Sequence, residues 1–478
     1  MDDSGVPRLP ENPHQPDSRL KSEGDINLSP KRLKWAESFL DEETRAWLER
    51  DAKVFLHQSL STPCLDVLKE SSGACFTDLS GRTFLDFHGN NVHQVGYGHP
   101  HVIEAITREM QQLPFCPRRF TNIPAILLAE KLAHLAPGDL NKVLFAPGGT
   151  SAIGMALKLA RAATGRYKTI SMWDSFHGAS LDAISVGGEE VFRSRIGPLL
   201  PGSEHVPPPD AYRCLWGCNG SCNLKCADYI EYVLEKEGDV AAVIAETIRC
   251  TPFIPPRDYW KKVREACDRH GTLLILDEIP ICLGRTGKMF ACEHFEVVPD
   301  MLVIGKGLGG GIFPLAALIA REDLDILGDR ALAITPMRKS SVGCAAALAA
   351  LEVIEQEHIL EHATRMGEQV LSRLQSMKKE HPLIGDVRGT GLLLGIELVL
   401  DRETRQRALD EAEEVLYACL SRGLSFKLTM GNILTLTPPL IISDGEMDHA
   451  LAIIDVALSE VERQTGDEIR PRSTEMVL

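Results

Sequence analysis

Short apolar runs alternate with amphipathic stretches through the middle of the chain, from about residue 100 to about residue 325. Apolar runs of this kind predict buried strands, and apolar residues spaced three or four apart predict helices. We predict strands at residues 143–145, 169–173, 240–245, 272–276, 301–304 and 315–319. A helix from Asp258 to His270 should end at Gly271, which suits the left-handed position after a helix. The alternation predicts an α/β fold, with a mostly parallel central sheet and helices on both faces.

The two ends of the chain have other patterns. Apolar residues near helical spacing predict one amphipathic helix over residues 31–58, and residues 78–87 predict a hairpin. Two helices between 341 and 378, a strand at 391–398, a helix to 422 and a helix ending near 462 predict a smaller C-terminal α/β domain. The predicted divisions are a disordered extension at 1–30, an N-terminal segment at 31–100 that joins the small domain, a large domain at 101–335, the small domain at 336–465 and a tail at 466–478.

Composition and charge narrow the possible functions. The net charge of -16 argues against nucleic acid as a partner and against a membrane-binding basic patch. No apolar run is long enough to span a membrane, and the polar start does not resemble a signal peptide, so we expect a cytoplasmic protein. Most of the 13 cysteines are scattered, as expected of reduced core residues.

Four cysteines form a separate group in the sequence. Cys214, Cys218, Cys222 and Cys226 are each four residues from the next. They suggest either a structural zinc site or a reduced, cysteine-rich surface insertion, because the usual spacing of a zinc knuckle is missing. We expect no metal in the catalytic site in either case.

A lysine between an apolar strand and a run of glycines is the most informative candidate for chemistry. Lys306 follows the predicted strand at 301–304 and precedes glycines at 307 and 309–311. A lysine in this position can hold a carbonyl as a Schiff base, which is how pyridoxal phosphate (PLP) is anchored. Taken alone, however, a lysine in such a place is more often an ordinary solvated side chain.

PLP also requires a phosphate cradle, a support for its ring and an anion at its pyridine nitrogen, and each has a candidate directly after a predicted strand. Gly149 and Thr150 open a helix whose free N–H groups suit a phosphate, although they could form an ordinary capped turn. Phe176 could stack on the ring or belong to the core. Asp277 could keep the ring nitrogen protonated, cap a helix or bind a metal. Strand ends of a parallel sheet meet at one edge, so these residues should lie near Lys306.

The order and spacing of these residues resemble the class III, or omega-type, PLP-dependent aminotransferases over about residues 60–460. The residues that carry the resemblance are Gly149-Thr150, Phe176-His177-Gly178, Glu246, Asp277-Glu278, Gly284-Arg285-Thr286-Gly287 and Lys306. The resemblance implies a fold-type I subunit, with a large cofactor domain and a smaller C-terminal domain. It also implies PLP as the cofactor and a homodimer with active sites at the subunit interface.

The resemblance further implies a role for each residue. Lys306 would be the Schiff base and the proton shuttle, and Asp277 would pair with the pyridine nitrogen. Gly149 and Thr150 would hold the phosphate and Phe176 would stack on the ring. Two further cofactor contacts are implied, and these are His177 and Glu246.

The chain departs from the family pattern at several positions. Ile279-Pro280 replaces the usual Val-Gln, so the glutamine that bonds the ring hydroxyl is missing, and Thr247 replaces a proline after Glu246. In the phosphate loop, this chain has Ser151 where family members have an acidic residue. In the family, a threonine of the partner subunit contacts the PLP phosphate. Thr335 aligns with this threonine, and Ser340 is a competing candidate for the same role.

Other departures bear on the substrate. Members that bind an α-carboxylate commonly carry arginine where this chain has Thr435, so the substrate should be a terminal amine rather than an ordinary α-amino acid. Arg118 and Arg249 could bind a phosphonate or phosphate tail, or could form ordinary salt bridges. Residues 89–100, 116–122 and 277–280 resemble a subgroup related to 1-hydroxy-2-aminoethylphosphonate ammonia-lyases.

These features favour an elimination as the reaction. Lys306 would remove a proton from the amine-bearing carbon, a β-hydroxyl would leave, and an aldehyde and ammonia would result. The alternatives are an omega-aminotransferase that needs a keto acid, a phospho-lyase acting on a phosphorylated amino alcohol, and a PLP-binding scaffold without activity. Retention of both Lys306 and Asp277 argues against the scaffold.

Overall fold

A computed structural model of the chain describes residues 29–58, 62–218, 222–333 and 339–469. The strands are β1 (Leu68–Ser72), β2 (Cys75–Asp78), β3 (Thr83–Asp86), β4 (Leu140–Ala146), β5 (Lys168–Met172), β6 (Ser203–Val206), β7 (Val240–Glu246), β8 (Leu273–Asp277), β9 (Met301–Ile304), β10 (Ala316–Arg321), β11 (Ile384–Thr390), β12 (Leu393–Asp401), β13 (Gln406–Arg407), β14 (Leu424–Ser425), β15 (Lys427–Thr429) and β16 (Ile433–Leu436). The helices are α1 (Pro30–Phe39), α2 (Glu42–Val54), α3 (Pro100–Gln112), α4 (Ile123–Leu135), α5 (Gly149–Thr164), α6 (Leu181–Val186), α7 (Glu190–Arg193), α8 (Lys225–Glu237), α9 (Tyr259–His270), α10 (Ser341–Gln356), α11 (Ile359–Glu380), α12 (Leu409–Leu420) and α13 (Asp444–Ile469).

The largest sheet has seven strands in the order β4-β10-β9-β8-β7-β5-β6. The five strands from β9 to β6 are parallel to one another, and β10 is antiparallel to both of its neighbours. On β7, Ala242 and Ile244 pack against α5, while Val243 and Ala245 belong to the cluster that contains Trp260 of α9. The sheet is therefore covered on both faces, which confirms the predicted fold class.

The predicted elements of this region are found, with boundary shifts of a few residues. Helix α9 begins after Asp258 and ends at Gly271, whose φ of 60° is left-handed. The edge strand β6 was not predicted because its sequence, Ser-Glu-His-Val, has no continuous apolar run.

The single helix predicted over residues 31–58 is wrong, because the chain breaks between α1 and α2. Leu40 is extended, with ψ at 140°, and ends α1. Asp41 then caps α2, since its Oδ1 accepts a hydrogen bond of 2.7 Å from the Thr44 N–H. The apolar spacing continues across the break, which is why the sequence pattern did not reveal it.

The described residues also form two smaller sheets. The first has the order β1-β2-β3-β14 and contains the predicted hairpin as β2 and β3. Strand β14 pairs parallel to β3 and so joins the N-terminal hairpin to the C-terminal region. The second runs β11-β12-β16-β15, with β13 paired to β12. The predicted domain boundaries stay a prediction.

Several predictions concern residues that the structure does not describe. Residues 1–28 of the predicted disordered extension, Thr335 and residues 470–478 of the predicted tail lie outside the described residues. Residues 466–469 of the predicted tail belong to α13, so the last helix is longer than predicted. Among the described residues, no helix is long and apolar enough to cross a bilayer.

Candidate active site

A cavity of about 380 Å³ lies where β5, β7, β8 and β9 end and α5 begins. Its lining includes seven of the eight residues predicted for the cofactor, which are Gly149, Thr150, Phe176, His177, Glu246, Asp277 and Lys306. They come from five separate parts of the chain, and the parallel strand order brings them together at one edge of the sheet.

One end of the cavity is formed by the start of α5. The helix begins at Gly149 with no side-chain cap, because the preceding residue is Gly148. The N–H groups of a first helical turn have no partner within the helix and attract anions. A Cβ on Gly178, whose φ is 123°, would lie 2.2 Å from Thr150 Oγ1, and a Cβ on Gly149 would lie 2.7 Å from Ile279 Cδ1. Glycine is therefore required at position 178, where a side chain would also meet the Thr150 backbone at 3.0 Å, whereas a side chain at position 149 would displace the tip of Ile279.

A buried carboxylate and a buried imidazole form the floor of the cavity. Asp277 Oδ2 lies 2.8 Å from His177 Nδ1, and Asp277 Oδ1 accepts a hydrogen bond of 3.0 Å from the Ile279 N–H. Both side chains are almost fully buried, and His177 Nε2 has no hydrogen-bond partner among the described residues. His177 therefore orients Asp277, a role that the sequence did not reveal because 100 residues separate the two.

Glu246 closes the side of the cavity next to Phe176. Its Oε1 accepts a hydrogen bond of 3.4 Å from the Phe176 N–H, and its Oε2 accepts one of 3.3 Å from the Cys250 N–H. Burial raises the pKa of Glu246, against the lowering effect of Arg249. The Phe176 ring packs 4.5 Å from the Phe192 ring, measured between centroids, and still faces the cavity. Glu246 thus fixes the backbone that carries the aromatic side chain.

Lys306 lies two residues after the end of β9 and has an uncommon backbone conformation. It is partly buried and has a φ of 47°, in the left-handed region that non-glycine residues rarely adopt. Such a conformation costs about 1–2 kcal/mol and concentrates at functional sites. The strain supports a functional reason for placing a lysine here, rather than an ordinary solvated side chain.

Glu278, the residue after Asp277, fixes neighbouring segments of the chain behind the active-site cavity through hydrogen bonds. It is fully buried and accepts hydrogen bonds from the Thr247 hydroxyl at 2.8 Å, the Ala291 N–H at 2.6 Å and the Cys292 N–H at 2.7 Å. Burial raises the pKa of Glu278 to about 7, although these hydrogen bonds act in the opposite direction. Thr247, which replaces the family's proline, therefore donates a hydrogen bond to Glu278 that a proline side chain could not donate.

The two arginines predicted for the substrate lie in different places. Arg249 is buried beside the cavity, where its Nη2 donates to the Asp174 carbonyl and its charge affects Glu246. Arg118 does not line this cavity. It is exposed and lines another of about 550 Å³ together with Arg119, Lys142, Arg321 and Arg330. Its role stays a prediction.

Ser340, the alternative to Thr335, has a structural role. Its Oγ accepts a hydrogen bond of 3.1 Å from the Gly343 N–H and so caps α10. The cavity lining also includes Cys250, which the sequence pattern did not single out. It has no chemical signature of its own, and only the folded chain places it there.

The four clustered cysteines lie together, away from the active-site cavity. They line a small cavity of about 100 Å³, and burial raises the pKa of Cys226 to about 12, with further raising by the nearby Cys222 and Cys214. In the part of the chain that the structure describes, no three His, Cys, Asp or Glu side chains are arranged to hold a metal ion. All 13 cysteines are free thiols.

The residues around the main cavity fit PLP. The uncapped start of α5 suits its phosphate, the buried Asp277 suits a protonated ring nitrogen, and Lys306 suits its aldehyde. The fold and the site together define a fold-type I PLP-dependent enzyme. Residues 57–458 match the family described as aminotransferase class-III, and the chain belongs to this family.

Known proteins similar to this chain include both a lyase and aminotransferases. The (R)-1-hydroxy-2-aminoethylphosphonate ammonia-lyase of Vibrio splendidus is 52% identical over 93% of this chain and 96% of its own length. A Bacillus anthracis aminotransferase superposes with a TM-score of 0.82 at 32% identity, covering 88% of this chain and all of its own. An amine transaminase from an uncultivated Pseudomonas species, in its PLP-bound form, has a TM-score of 0.79 at 29% identity over 85% of this chain and 99% of its own. This chain is therefore a PLP-dependent enzyme.

Proposed function

We propose that this enzyme is an ammonia-lyase acting on a small terminal amine that carries a β-hydroxyl and an anionic tail. The substrate that we propose is (R)-1-hydroxy-2-aminoethylphosphonate, which would give phosphonoacetaldehyde and ammonia. The observation that carries the proposal is the 52% identity to the Vibrio splendidus lyase over nearly the whole chain. Thr435 adds support, because it is fully buried and its hydroxyl lies 2.7 Å from that of Thr429, so no arginine is available there for an α-carboxylate.

The residues of the cavity suit an elimination. Bound PLP supplies a ring that accepts electrons and makes the carbon beside the amine acidic. Lys306 Nζ takes the proton from that carbon, and Asp277, oriented by His177, keeps a proton on the ring nitrogen. The hydroxyl leaves from the neighbouring carbon as water. The released enamine then takes up water and gives the aldehyde and ammonia, so that one water is lost and one is regained.

We assign the other contacts on the same basis. Gly149 and Thr150 hold the phosphate at the start of α5, Phe176 supports the ring, and Glu246 fixes the Phe176 backbone. We further propose a homodimer in which the partner subunit's Thr335 reaches the phosphate. In that dimer, Arg118 is available to a substrate tail because it is exposed.

An assay without a keto acid separates the lyase from its main alternative. The purified PLP-loaded protein is given the hydroxyaminoethylphosphonate alone, and ammonia and aldehyde are measured over many turnovers, with Lys306→Ala as the inactive control. We expect both products in equal amounts. Turnover that begins only when pyruvate is added would instead favour an aminotransferase.

An aminotransferase is the second candidate, because the family match and the Bacillus anthracis structure favour it. Both reactions begin with removal of the same proton, and they differ in whether the hydroxyl leaves or the amine passes to a keto acid. In either case we propose a cytoplasmic location, since every cysteine is a free thiol as expected in a reducing compartment.

A further inference from the structure

The turn that carries Lys306 is packed between two other parts of the chain. On one side, a Cβ built on Gly305 would lie 3.3 Å from Ile279 Cγ2. On the other side, a Cβ built on Gly311 would lie 3.1 Å from the carbonyl oxygen of Val92. The backbone before and after the lysine is therefore in close contact with its neighbours, which restricts how the turn can move.

The amide of Gln94 occupies the space that a side chain at position 307 would need. A Cβ built on Gly307 would lie 2.0 Å from Gln94 Oε1, 2.3 Å from Gln94 Cδ and 2.6 Å from Gln94 Nε2. The φ of Gly307 is not in the left-handed region, so its backbone conformation does not require glycine. The missing side chain at Gly307 instead allows the Gln94 amide to lie directly against the backbone that follows Lys306.

Gln94 is itself held in place by burial and by its main chain. The residue is 1% exposed, and its carbonyl oxygen accepts a hydrogen bond of 2.9 Å from the Leu440 N–H. The side-chain amide has no hydrogen-bond partner on its nitrogen or its oxygen among the described residues. Its contact with Gly307 is therefore one of packing, and leaving the buried amide without partners costs about 1–3 kcal/mol.

Lys306 needs support of this kind because its backbone is strained. A strained residue persists only where the surrounding structure over-determines its conformation, and the φ of 47° at Lys306 is such a case. The Gly310 N–H donates to the Gly307 carbonyl at 2.9 Å, so a shift of Gly307 would also disturb the rest of the turn. Because the lysine side chain is long, a small rotation of this backbone displaces Nζ by a larger distance.

We propose that Gln94 is a positioning residue, whose amide holds Gly307 and thereby directs Lys306 Nζ into the active-site cavity. Gln94 is not part of the cavity lining, so it acts through Lys306 and not on the substrate. The sequence pattern did not reveal this role, because Gln94 and Gly307 are far apart in the chain. The inference rests on the proposed function only in that Lys306 is the reacting lysine, which the lyase and the aminotransferase have in common.

Removal of the amide tests the proposal by kinetics. Gln94→Ala should lower kcat by about 10- to 100-fold, since a displacement of about 1 Å at a reacting group costs up to about 10²-fold in rate. The KM should stay within about threefold, because no substrate contact is removed. Gln94→Met should recover most of kcat, because methionine has a similar length and the amide makes no hydrogen bond that would be lost. Gln375→Ala is the matched control, because Gln375 Nε2 donates to the Val387 carbonyl at 3.2 Å outside the cavity lining, and its kcat should be unchanged.

Two further readouts follow the lysine without turnover. Formation of the Schiff base after apoprotein is mixed with PLP, measured by absorbance, should be at least about tenfold slower in Gln94→Ala. The visible circular dichroism of the bound cofactor should also weaken, because Lys306 no longer holds it in a single orientation. Gln375→Ala should match the unmodified protein in both measurements.

A substitution on the other side of the contact provides a second variant should Gln94→Ala fail to fold. Gly307→Ala places a Cβ where the amide lies, and kcat should fall by about 10- to 100-fold. When Gln94→Ala and Gly307→Ala are combined, the shortened side chain leaves room for the new Cβ, so kcat should stay within about threefold of the worse single variant. Effects that multiply to about 10²–10⁴-fold would show that the two residues act independently and would overturn the proposal.

The outcomes separate the positioning role from the proposed function. Slower Schiff-base formation in Gln94→Ala, without any ammonia release from the unmodified enzyme, would support the positioning role and reject the lyase. Ammonia release by the unmodified enzyme, combined with normal kcat and normal Schiff-base formation in Gln94→Ala, would reject the positioning role and keep the lyase. Equal losses of kcat in Gln94→Ala and Gln375→Ala, or a change confined to KM, would also overturn the positioning role.

Discussion

Replacing Gly178 by alanine should loosen the cofactor without unfolding the protein. A Cβ at this position would lie 2.2 Å from Thr150 Oγ1, 2.8 Å from Thr150 Cβ and 3.0 Å from Thr150 Cα. Normal contacts are about 3.5 Å or more, so the start of α5 must move by about 1 Å. The N–H groups that hold the phosphate move with it, and we expect an affinity for PLP that is lower by about 10- to 100-fold, or about 1.4–2.8 kcal/mol.

The opposite end of the same helix provides the control. Gly165 ends α5 with a left-handed φ of 66°, and nothing lies within 4 Å of a Cβ built there. Gly165→Ala should therefore carry a backbone strain of about 1 kcal/mol without disturbing the cavity. Titration of each apoprotein with PLP, followed by absorbance, gives the affinities, and thermal unfolding gives the stabilities. Equal PLP affinities for Gly178→Ala and Gly165→Ala would refute the phosphate cradle at Thr150.

Two further substitutions test the carboxylates behind the ring. Asp277→Asn should keep the hydrogen bond to His177 but lower kcat by at least about 10³-fold, since a neutral amide does not hold a proton on the ring nitrogen. A steady-state rate within about tenfold of that of the unmodified protein would contradict this role of Asp277. Glu278→Gln should remove a pH dependence of stability. Because burial raises the pKa of Glu278 from 4.5 to about 7, the folded state keeps a proton that the unfolded state loses, and stability falls by about 3 kcal/mol as pH rises through this range. For a chain of 478 residues, a stability loss of about 3 kcal/mol lowers the thermal midpoint by about 3 °C. Between pH 4.5 and 8, the midpoint of the unmodified protein should therefore fall by about 3 °C relative to that of Glu278→Gln. Parallel pH profiles of the two midpoints would exclude this role of Glu278.

The central sheet could be predicted because its strands are buried on both faces. Such strands are continuous apolar runs, as in Met301–Ile304, which ends before Gly305. Because parallel strand ends meet at one edge, the chemical residues that follow them also converge. This is why Gly149, Phe176, Asp277 and Lys306 could be expected in one cavity.

Features that depend on tertiary contacts could not be predicted in this way. The contact between Lys427 and Cys250 joins residues 177 positions apart and arises only from the pairing of β15 with β16. The role of Glu278 is also hidden, since two of its three donors are backbone N–H groups that any residue could provide. Conversely, Arg118 matched the expected chemistry but faces another cavity in the subunit.

Chemical trapping of the cofactor tests the central claim most directly. The PLP-loaded protein is reduced with borohydride, digested, and its peptides are identified by mass spectrometry. We predict one phosphopyridoxyl group per chain, attached to Lys306, and none in Lys306→Ala. Labelling of a different lysine in the unmodified protein, or the absence of any label, would contradict the assignment of this cavity as the active site.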